Sequence, residues 1–147
     1  MQDLVVRKAT NQDMNDIMKL QVNVFSGEQK IPENMIEVIG EDAVQWWCVT
    51  INSSLVGSVA AWKEDNQIHW GRYAVNSDYR GRHIGTALAK YSLEDLFSQG
   101  IKEVYMEARV AAVKIICSMG GKVIGEPVPF YEGTITPVLI REEDYYR

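Results

Sequence analysis

Residues 74–88, with the sequence AVNSDYRGRHIGTAL, join an extended apolar stretch to a helix through a turn rich in Arg and Gly. Backbone N–H groups in the first turn of a helix lack intrahelical partners, and the aligned peptide dipoles place about half a positive charge there. Gly81 and Gly85 let a ligand approach the backbone closely, and His83 with the arginines of the turn adds donors. The segment therefore predicts a strand, a turn and a helix that together bind a pyrophosphate.

The chain is acidic overall but basic around this turn. A net charge of −5 argues against a nucleic-acid partner, whose binding would depend on Lys and Arg at phosphates. Three of the seven arginines, Arg72, Arg80 and Arg82, lie close together, which indicates either a small anionic ligand or an ordinary solvated turn. A nucleotide-binding protein of another fold is disfavoured, because neither a GxxxxGK loop nor GxGxxG is present.

The composition is that of one globular domain, which we expect to span residues 1–147. No run approaches the roughly 18 consecutive apolar residues of a membrane span, so we expect a cytoplasmic protein without a membrane partner. Cys48 and Cys117 both lie in apolar runs and are predicted to be small buried hydrophobes. Two cysteines without a motif predict neither a disulfide framework nor a metal site.

Alternating apolar residues and turn-forming pairs predict a mainly antiparallel sheet. Strands are expected at residues 4–9, Gln45–Ile51, 55–64, Gln67–Val75, Glu103–Ala108, 122–124 and 135–141. The short turns Asn52-Ser53 and Asp65-Asn66 make an antiparallel meander of the second to fourth strands. The fold class is therefore α/β (α+β), a mixed, largely antiparallel sheet of about six to seven strands flanked by about four helices.

Four helices are predicted from 3.6-residue periodicity and end signals. The first begins at Thr10 or Asn11, the second runs from Pro32 to Gly40, and the others cover residues 84–99 and 111–119. Their expected buried positions are Met14, Ile17, Met18 and Val22 or Phe25 in the first, Met35, Ile36 and Ile39 in the second, and Ile84, Leu88, Tyr91, Leu93, Leu96 and Phe97 in the third.

The order of elements, the length and the phosphate turn together resemble the GNAT superfamily of acyl-CoA-dependent N-acyltransferases over nearly the whole chain. The turn of that family begins with Gln or Arg and continues xxGx to a Gly or Ala, after a strand that ends in a small residue and Val. Here Arg80 starts the turn, Gly85 ends it, and Ala74 and Val75 precede it. His83 stands where the family usually has Gly.

The resemblance implies acetyl-CoA or another acyl-CoA as donor substrate, with its pyrophosphate on the N–H groups of residues 81–86. Pantetheine would pair with the preceding strand like an added strand, and an amine would attack the thioester directly while a backbone N–H near Val75 stabilises the oxyanion. The implied coenzyme contacts are Tyr73, Ala74, Val75, Arg80, Gly81, Arg82, His83, Ile84, Gly85, Thr86 and Arg109.

His69 is the candidate general base. It lies six residues before Val75, so strand alternation places it on the same face as Gly71, Tyr73 and Val75. Several members of the superfamily have a Glu or His base at this spacing, and an imidazole with a pKa near ~6.5 suits the task. The alternative is a hydrogen-bonded histidine between two apolar strand neighbours.

The usual acid for the departing thiolate is missing, because Ile116 stands at the position where the family often has Tyr. Tyr79, Tyr105 and Tyr131 are candidate replacements, or no acid is needed, since a thiol with a pKa near ~8.5 leaves tolerably well as the anion. Cys117 lies next to Ile116 in the chain but points elsewhere around the helix, so we assign it a packing role.

Arg109 follows the strand Glu103–Ala108, where many relatives have Asn. It would contact the coenzyme, bind a carboxylate or phosphoryl group of an acidic acceptor, or be solvated at a strand end. A group of acids, Glu28, Glu33, Glu37, Glu41 and Asp42, falls in the region that forms one acceptor wall in this fold, and their spacing favours a solvated helix face.

These observations favour an N-acetyltransferase that transfers an acetyl group from acetyl-CoA to the primary amine of a small molecule. Two alternatives stay open, namely a non-catalytic acyl-CoA-binding module, which Ile116 favours, and a protein or peptide N-acetyltransferase. A homodimer is compatible with the sequence, and no metal is expected.

Overall fold

The computed structural model describes residues 3–28 and 44–147. Its strands are β1 (Leu4–Lys8), β2 (Gln45–Ile51), β3 (Ser54–Glu64), β4 (Gln67–Val75), β5 (Glu103–Ala108), β6 (Lys122–Val123), β7 (Val128–Phe130) and β8 (Gly133–Arg141). Its α-helices are α1 (Met14–Gln21), α2 (Ile84–Ser98), α3 (Val110–Ser118) and α4 (Glu142–Tyr145). Short 3-10 helices cover Asn11–Asp13 and Ser77–Tyr79, and a π-helical segment, Val22–Glu28, continues α1.

The predicted fold class is confirmed, with eight strands where six to seven were expected. The sheet order is β1-β2-β3-β4-β5-β8-β6, β7 pairs with β8, and β4 and β5 alone among these neighbours are parallel. Both predicted hairpin turns are present, because Asn52, Ser53, Asp65 and Asn66 all have positive φ, as tight hairpin turns require. The predictions missed β7 and α4, and the helix expected from Pro32 to Gly40 lies outside the described residues.

Two apolar clusters cover the two faces of the sheet. The larger contains α2 and α3 against the central strands, with Trp70, Leu88 and Ile116 buried in it. The smaller joins α1 and its π-helical continuation to Ala74 of β4, through Val24 and neighbouring side chains. None of the helices in the described ranges is long and apolar enough to cross a membrane.

Some burial predictions were wrong for geometric reasons. Tyr91 is 44% exposed, because it lies at the edge of the buried stripe of α2. Cys117 is exposed, since it follows Ile116 by about 100° around α3 and so faces away from the core. In α1 and its π-helical continuation, Met14, Met18 and Val22 are half-buried. The buried residues are Ile17, Leu20, Gln21, Val24 and Phe25, so the predictions for Ile17 and Phe25 are confirmed.

The start of α1 is held by a carboxylate. Asp13 accepts hydrogen bonds from the backbone N–H of Thr10 at 2.7 Å and from the Arg7 guanidinium at 2.8 and 2.9 Å. The hydrogen bonds from Arg7 lower the pKa of Asp13 most, burial opposes them, and the Thr10 N–H adds to the lowering. The charged form of Asp13 therefore stabilises the fold.

We expect Asp13→Asn to lower the free energy of unfolding by about 1–2 kcal/mol at neutral pH, as for the loss of a helix cap. Because the pKa of Asp13 is lower in the folded state, its contribution is complete above the unfolded value of about 3.9 and is lost as the pH falls below it. Urea unfolding at neutral and acidic pH measures this difference, with the exposed Asp16→Asn as control. A difference that stays constant with pH would contradict the assignment.

Candidate active site

A cleft opens where β4 and β5 separate. The two parallel strands pair at one position, His69 with Tyr105, and then diverge. The resulting cleft has a volume of about 860 Å³ and is lined by the second half of β4, the turn before α2, the end of β5 and the start of α3. Within the described residues no strand pairs with β4 on this side beyond His69. The carbonyls of Arg72 and Val75 accept hydrogen bonds from the side chains of Gln21 and Arg80.

The N-terminus of α2 forms one end of the cleft. Gly81 and His83 precede the helix with φ of 81° and 62°, and His83 is its N-cap residue in the left-handed conformation. Glycine adopts this conformation without strain, whereas a residue with a side chain, such as His83, adopts it at a cost. The first helical N–H groups have no intrahelical partner, and no acidic residue lies in the first turn. An anion is therefore favoured here.

The arginine side chains of the turn have partners within the protein. The Nε of Arg80 donates to the Val75 carbonyl at 3.0 Å, and its guanidinium forms two hydrogen bonds to Glu28, at 2.7 and 3.1 Å. Arg82 stacks on the Tyr79 ring at 5.3 Å and does not line the cleft. Of the two arginines, Arg80 lines the cleft, and Glu28 braces the turn through it.

Tyr73 packs directly against the helix start. Its hydroxyl lies against Gly85, where any side chain would collide with it, and has no hydrogen-bond partner among the described residues. Its ring contacts Trp70 with centroids 5.0 Å apart. Burial raises the pKa of the Tyr73 hydroxyl, which therefore stays neutral and available as a donor at the floor of the cleft.

A β-bulge changes which side chains share a face of β4. The pairing shifts between Ser58 with Ala74 and Ala60 with Gly71, and Arg72 has φ of 57°. One extra residue reverses the alternation, so Tyr73 lies on the face of Trp70 toward α2. The prediction that His69 shares a face with Tyr73 and Val75 was therefore wrong, because no strand alternation can reveal a bulge.

Gln21, at the end of α1, holds this bulge through hydrogen bonds of its side chain. Its side chain is 1% exposed, and Nε2 donates to the carbonyl of Arg72 at 2.7 Å and to Oγ of Ser58 at 3.0 Å. Sequence reasoning missed this residue, although a glutamine on the apolar side of a helix, four residues after Ile17, is a signal of a buried polar contact.

We expect Gln21→Leu to lower stability by about 1–3 kcal/mol, because it leaves the carbonyl of Arg72 and the hydroxyl of Ser58 without their donor. The bulge should also loosen, so turnover should fall beyond the change in folded fraction. Thermal unfolding and kcat at a temperature well below the transition measure both effects. Asn23→Leu, at an exposed position of the same segment, is the matched control. Unchanged turnover in Gln21→Leu would leave Gln21 with a structural role alone.

His69 lies on the face of the sheet that α1 partly covers. Its side chain is 15% exposed and its Nε2 is 3.6 Å from Oε2 of the exposed Glu64. The imidazole stacks on Trp62 with centroids 5.8 Å apart and meets the edge of Tyr105 at 5.0 Å. These rings orient the imidazole at the branch point of the two strands.

Arg109 lies beyond the end of β5, at the N-cap of α3, and its side chain reaches β7. Its Nη1 donates to the Phe130 carbonyl at 2.8 Å, and the guanidinium covers the Phe130 ring at 5.1 Å. Its Nη2 is buried and has no hydrogen-bond partner among the described residues. Burial lowers the pKa of Arg109, yet a guanidinium stays charged in a protein.

No acid replaces the missing tyrosine on α3. Ile116 is 0% exposed and belongs to the core, so this helix presents no proton donor at that position. Of the three tyrosines named as replacements, Tyr79 lines the cleft. The Tyr105 hydroxyl is 3.4 Å from Glu107 and Tyr131 is 47% exposed, and neither lines the cleft.

Known structures share this fold over nearly their full length. ElaA of Escherichia coli has a TM-score of 0.80 at 20% identity, covering 96% of this chain and 100% of its own. An acyl-CoA N-acyltransferase from Pseudomonas aeruginosa has a TM-score of 0.78 at 17% identity, covering 95% and 99%. A chain of the NatC complex, solved with Gag peptide and CoA, has a TM-score of 0.70 at 16% identity, covering 95% and 98%. These identities show a common fold.

The sequence itself carries the family assignment. A comparison with curated protein sequences gives no significant match. The family model described as Acetyltransferase (GNAT) family matches residues 13–116, which include α1, the meander, the turn before α2, and β5. The match spans more than half of the chain and contains both sides of the cleft. Since fold, cleft and family model agree, this chain belongs to the GNAT family of acetyltransferases, enzymes that transfer acyl groups from acyl-CoA.

Proposed function

We propose that this enzyme transfers an acetyl group from acetyl-CoA to a primary amine of a small molecule. The observation that carries the proposal is the cleft between β4 and β5, which runs directly into the N-terminus of α2. A long donor with an anionic head and an extended arm matches that shape, because the head finds N–H groups and the arm finds an open strand edge.

In this proposal the coenzyme binds chiefly through the protein backbone. Its pyrophosphate accepts hydrogen bonds from N–H groups in the segment from Gly81 to Thr86, and its pantetheine arm lies along Tyr73, Ala74 and Val75. Arg80 contributes by holding the turn against Val75, since Glu28 already engages its guanidinium. The buried Tyr73 hydroxyl, which has no hydrogen-bond partner among the described residues, donates to the coenzyme in this proposal.

The chemistry is a direct displacement at the thioester. The amine nitrogen attacks the carbonyl carbon, a C–N bond forms, the C–S bond breaks, and CoA leaves as the thiolate. A backbone N–H near Val75 stabilises the oxyanion, and His69 accepts the proton of the amine, with Glu64 balancing the imidazolium charge. Holding both substrates in one cleft removes part of the barrier, an effect worth up to about 7–11 kcal/mol.

A peptide acceptor is the second candidate. It is favoured by the similarity in fold to a chain of a complex solved with a peptide and CoA. A peptide acceptor needs a surface beside the cleft that binds its backbone, whereas a small amine does not. A comparison of turnover with small amines and with peptides therefore decides between the two candidates.

The test is release of CoA thiol from acetyl-CoA in the presence of small amines, amino acids and short peptides. We expect turnover with small amines and a weaker response to peptides of matched N-terminal residue. Propionyl-CoA and butyryl-CoA in the same assay define the acyl group. Preference for peptides would reverse the order of the two candidates. Tight CoA binding without turnover on any acceptor would overturn the proposal.

A further inference from the structure

One cationic group in the cleft is held in place but incompletely paired. One side of the Arg109 guanidinium is fixed by the Phe130 carbonyl and ring, whereas Nη2 is buried without a partner among the described residues. A buried charged donor without a partner is costly unless a ligand supplies an acceptor. Because Arg109 also lines the cleft, that ligand would be a molecule bound there.

The side chain of Arg109 lies on the face of the sheet that α1 partly covers. We call it the acceptor face, because it also carries His69. Phe130, which holds it, packs against the cluster of α1 and its π-helical continuation, whereas the start of α2 lies on the opposite face. Arg109 follows Tyr105 and Glu107 at intervals of two residues. Since side chains alternate along an extended chain, all three lie on the face that carries His69. A contact with the coenzyme pyrophosphate is therefore disfavoured.

The cleft is lined by both acidic and basic side chains, which include Arg72 as well as Arg109. Glu64 lies beside His69 at one end, and Glu107 lies between that end and Arg109 along β5. The carboxylates favour a cationic ammonium, and Arg109 favours a planar anion such as a carboxylate. A molecule that carries both groups matches this pattern.

We propose that Arg109 binds a carboxylate of the acceptor, so that the substrate class is a small amino carboxylate whose amine is directed toward His69. This inference rests on the proposed function and specifies its acceptor. Tyr105, which pairs with His69, and Arg109 are about 13 Å apart along an extended strand. A flexible chain between amine and carboxylate fits this distance better than glycine does.

The experiment compares Arg109→Gln and Arg109→Lys with the parent enzyme on unbranched amino carboxylates from glycine to aminohexanoate and on their carboxamides. In Arg109→Gln we expect the acceptor KM for the preferred carboxylate to rise about 10- to 100-fold, the loss expected for a charge-assisted hydrogen bond. The KM values for the carboxamide and for acetyl-CoA should stay within about threefold of those of the parent enzyme. A change of that size is smaller than the loss of one charge-assisted hydrogen bond would cause. Arg109→Lys should recover part of the difference, since it keeps the charge but not the planar fork.

Arg141→Gln is the matched control, because Arg141 is a half-exposed arginine paired with Glu103 outside the cleft. Equal KM values for carboxylates and carboxamides in the parent enzyme would overturn the inference. An increase in the Kd for CoA in Arg109→Gln would instead make Arg109 a coenzyme contact and would also overturn it.

A binding measurement separates this inference from the proposed function. Calorimetry of aminohexanoate with the CoA-loaded protein reports the carboxylate site without turnover. Binding that is lost in Arg109→Gln and kept in Arg141→Gln supports the inference even if no amine is acetylated, a result that would refute the proposed reaction alone. Absence of binding to the parent protein, together with acetylation of amines that lack a carboxylate, would refute the inference and leave the reaction standing.

Discussion

Replacement of Gly85 by valine should raise the Kd for CoA about 100-fold or more, equivalent to about 2.7 kcal/mol. Any side chain at this position collides with the Tyr73 hydroxyl, and Cγ2 of Val75 lies 3.5 Å from the first added carbon. Since β4 and α2 meet here, the helix start or the buried Tyr73 side chain must move. Either movement disturbs a surface proposed to hold the coenzyme.

Calorimetry with CoA measures this effect, and circular dichroism with thermal unfolding shows that the variant is folded. Gly27→Val is the control, because an added carbon at Gly27 meets only Oδ1 of Asn23, at the ordinary contact distance of 3.6 Å. If Gly85→Val unfolds, the smaller Gly85→Ala provides the same test with less strain. A folded variant with the affinity of the parent protein would mean that the helix start is not the coenzyme site.

Replacement of His69 by glutamine should lower kcat by about 100-fold or more, the usual contribution of a positioned general base. Glutamine keeps the side-chain volume between Trp62 and Tyr105 but accepts no proton at neutral pH. The Kd for CoA should stay unchanged, because His69 lies on the acceptor face. The rate profile should also lose the acidic limb that a histidine base produces.

The decisive measurement is kcat/KM against pH for the parent enzyme and the variant. Glu64→Gln serves as the companion variant, with a smaller loss of rate, since Glu64 is 3.6 Å from Nε2 but exposed. A variant that keeps both the rate and the shape of the profile would show that His69 is a packing residue of the strand.

Local patterns in the sequence predicted most of the elements that surround the site. The bounds of β2, β4 and β5 agree with the prediction, because alternation and tight turns act over a few neighbouring residues. The turn before α2 was also predictable, since Gly81 needs no partner elsewhere to adopt a positive φ. The short strand β7 was missed, because its three residues form a strand only by pairing with β8.

Side-chain roles depended on contacts between distant parts of the chain. The sequence predicted that Arg80 and Arg82 both contact the phosphate. In the structure Arg80 pairs with Glu28, and Arg82 stacks on the ring of Tyr79. Gln21 reaches a carbonyl 51 residues away, a contact that no periodicity within α1 expresses. The environment of Arg109 likewise depends on β7, which lies 21 residues further along the chain.

The sequence by itself determined the strand, turn and helix that resemble a pyrophosphate site, and the presence of His69 on the strand before it. These are local properties, set by backbone preferences and by the unpaired N–H groups of a helix start. The tertiary structure decided the rest. The bulge at Arg72 turned His69 and Tyr73 to opposite faces, and the folding of β7 onto β8 left Arg109 half-paired in the cleft, because both result from pairing between segments far apart in sequence.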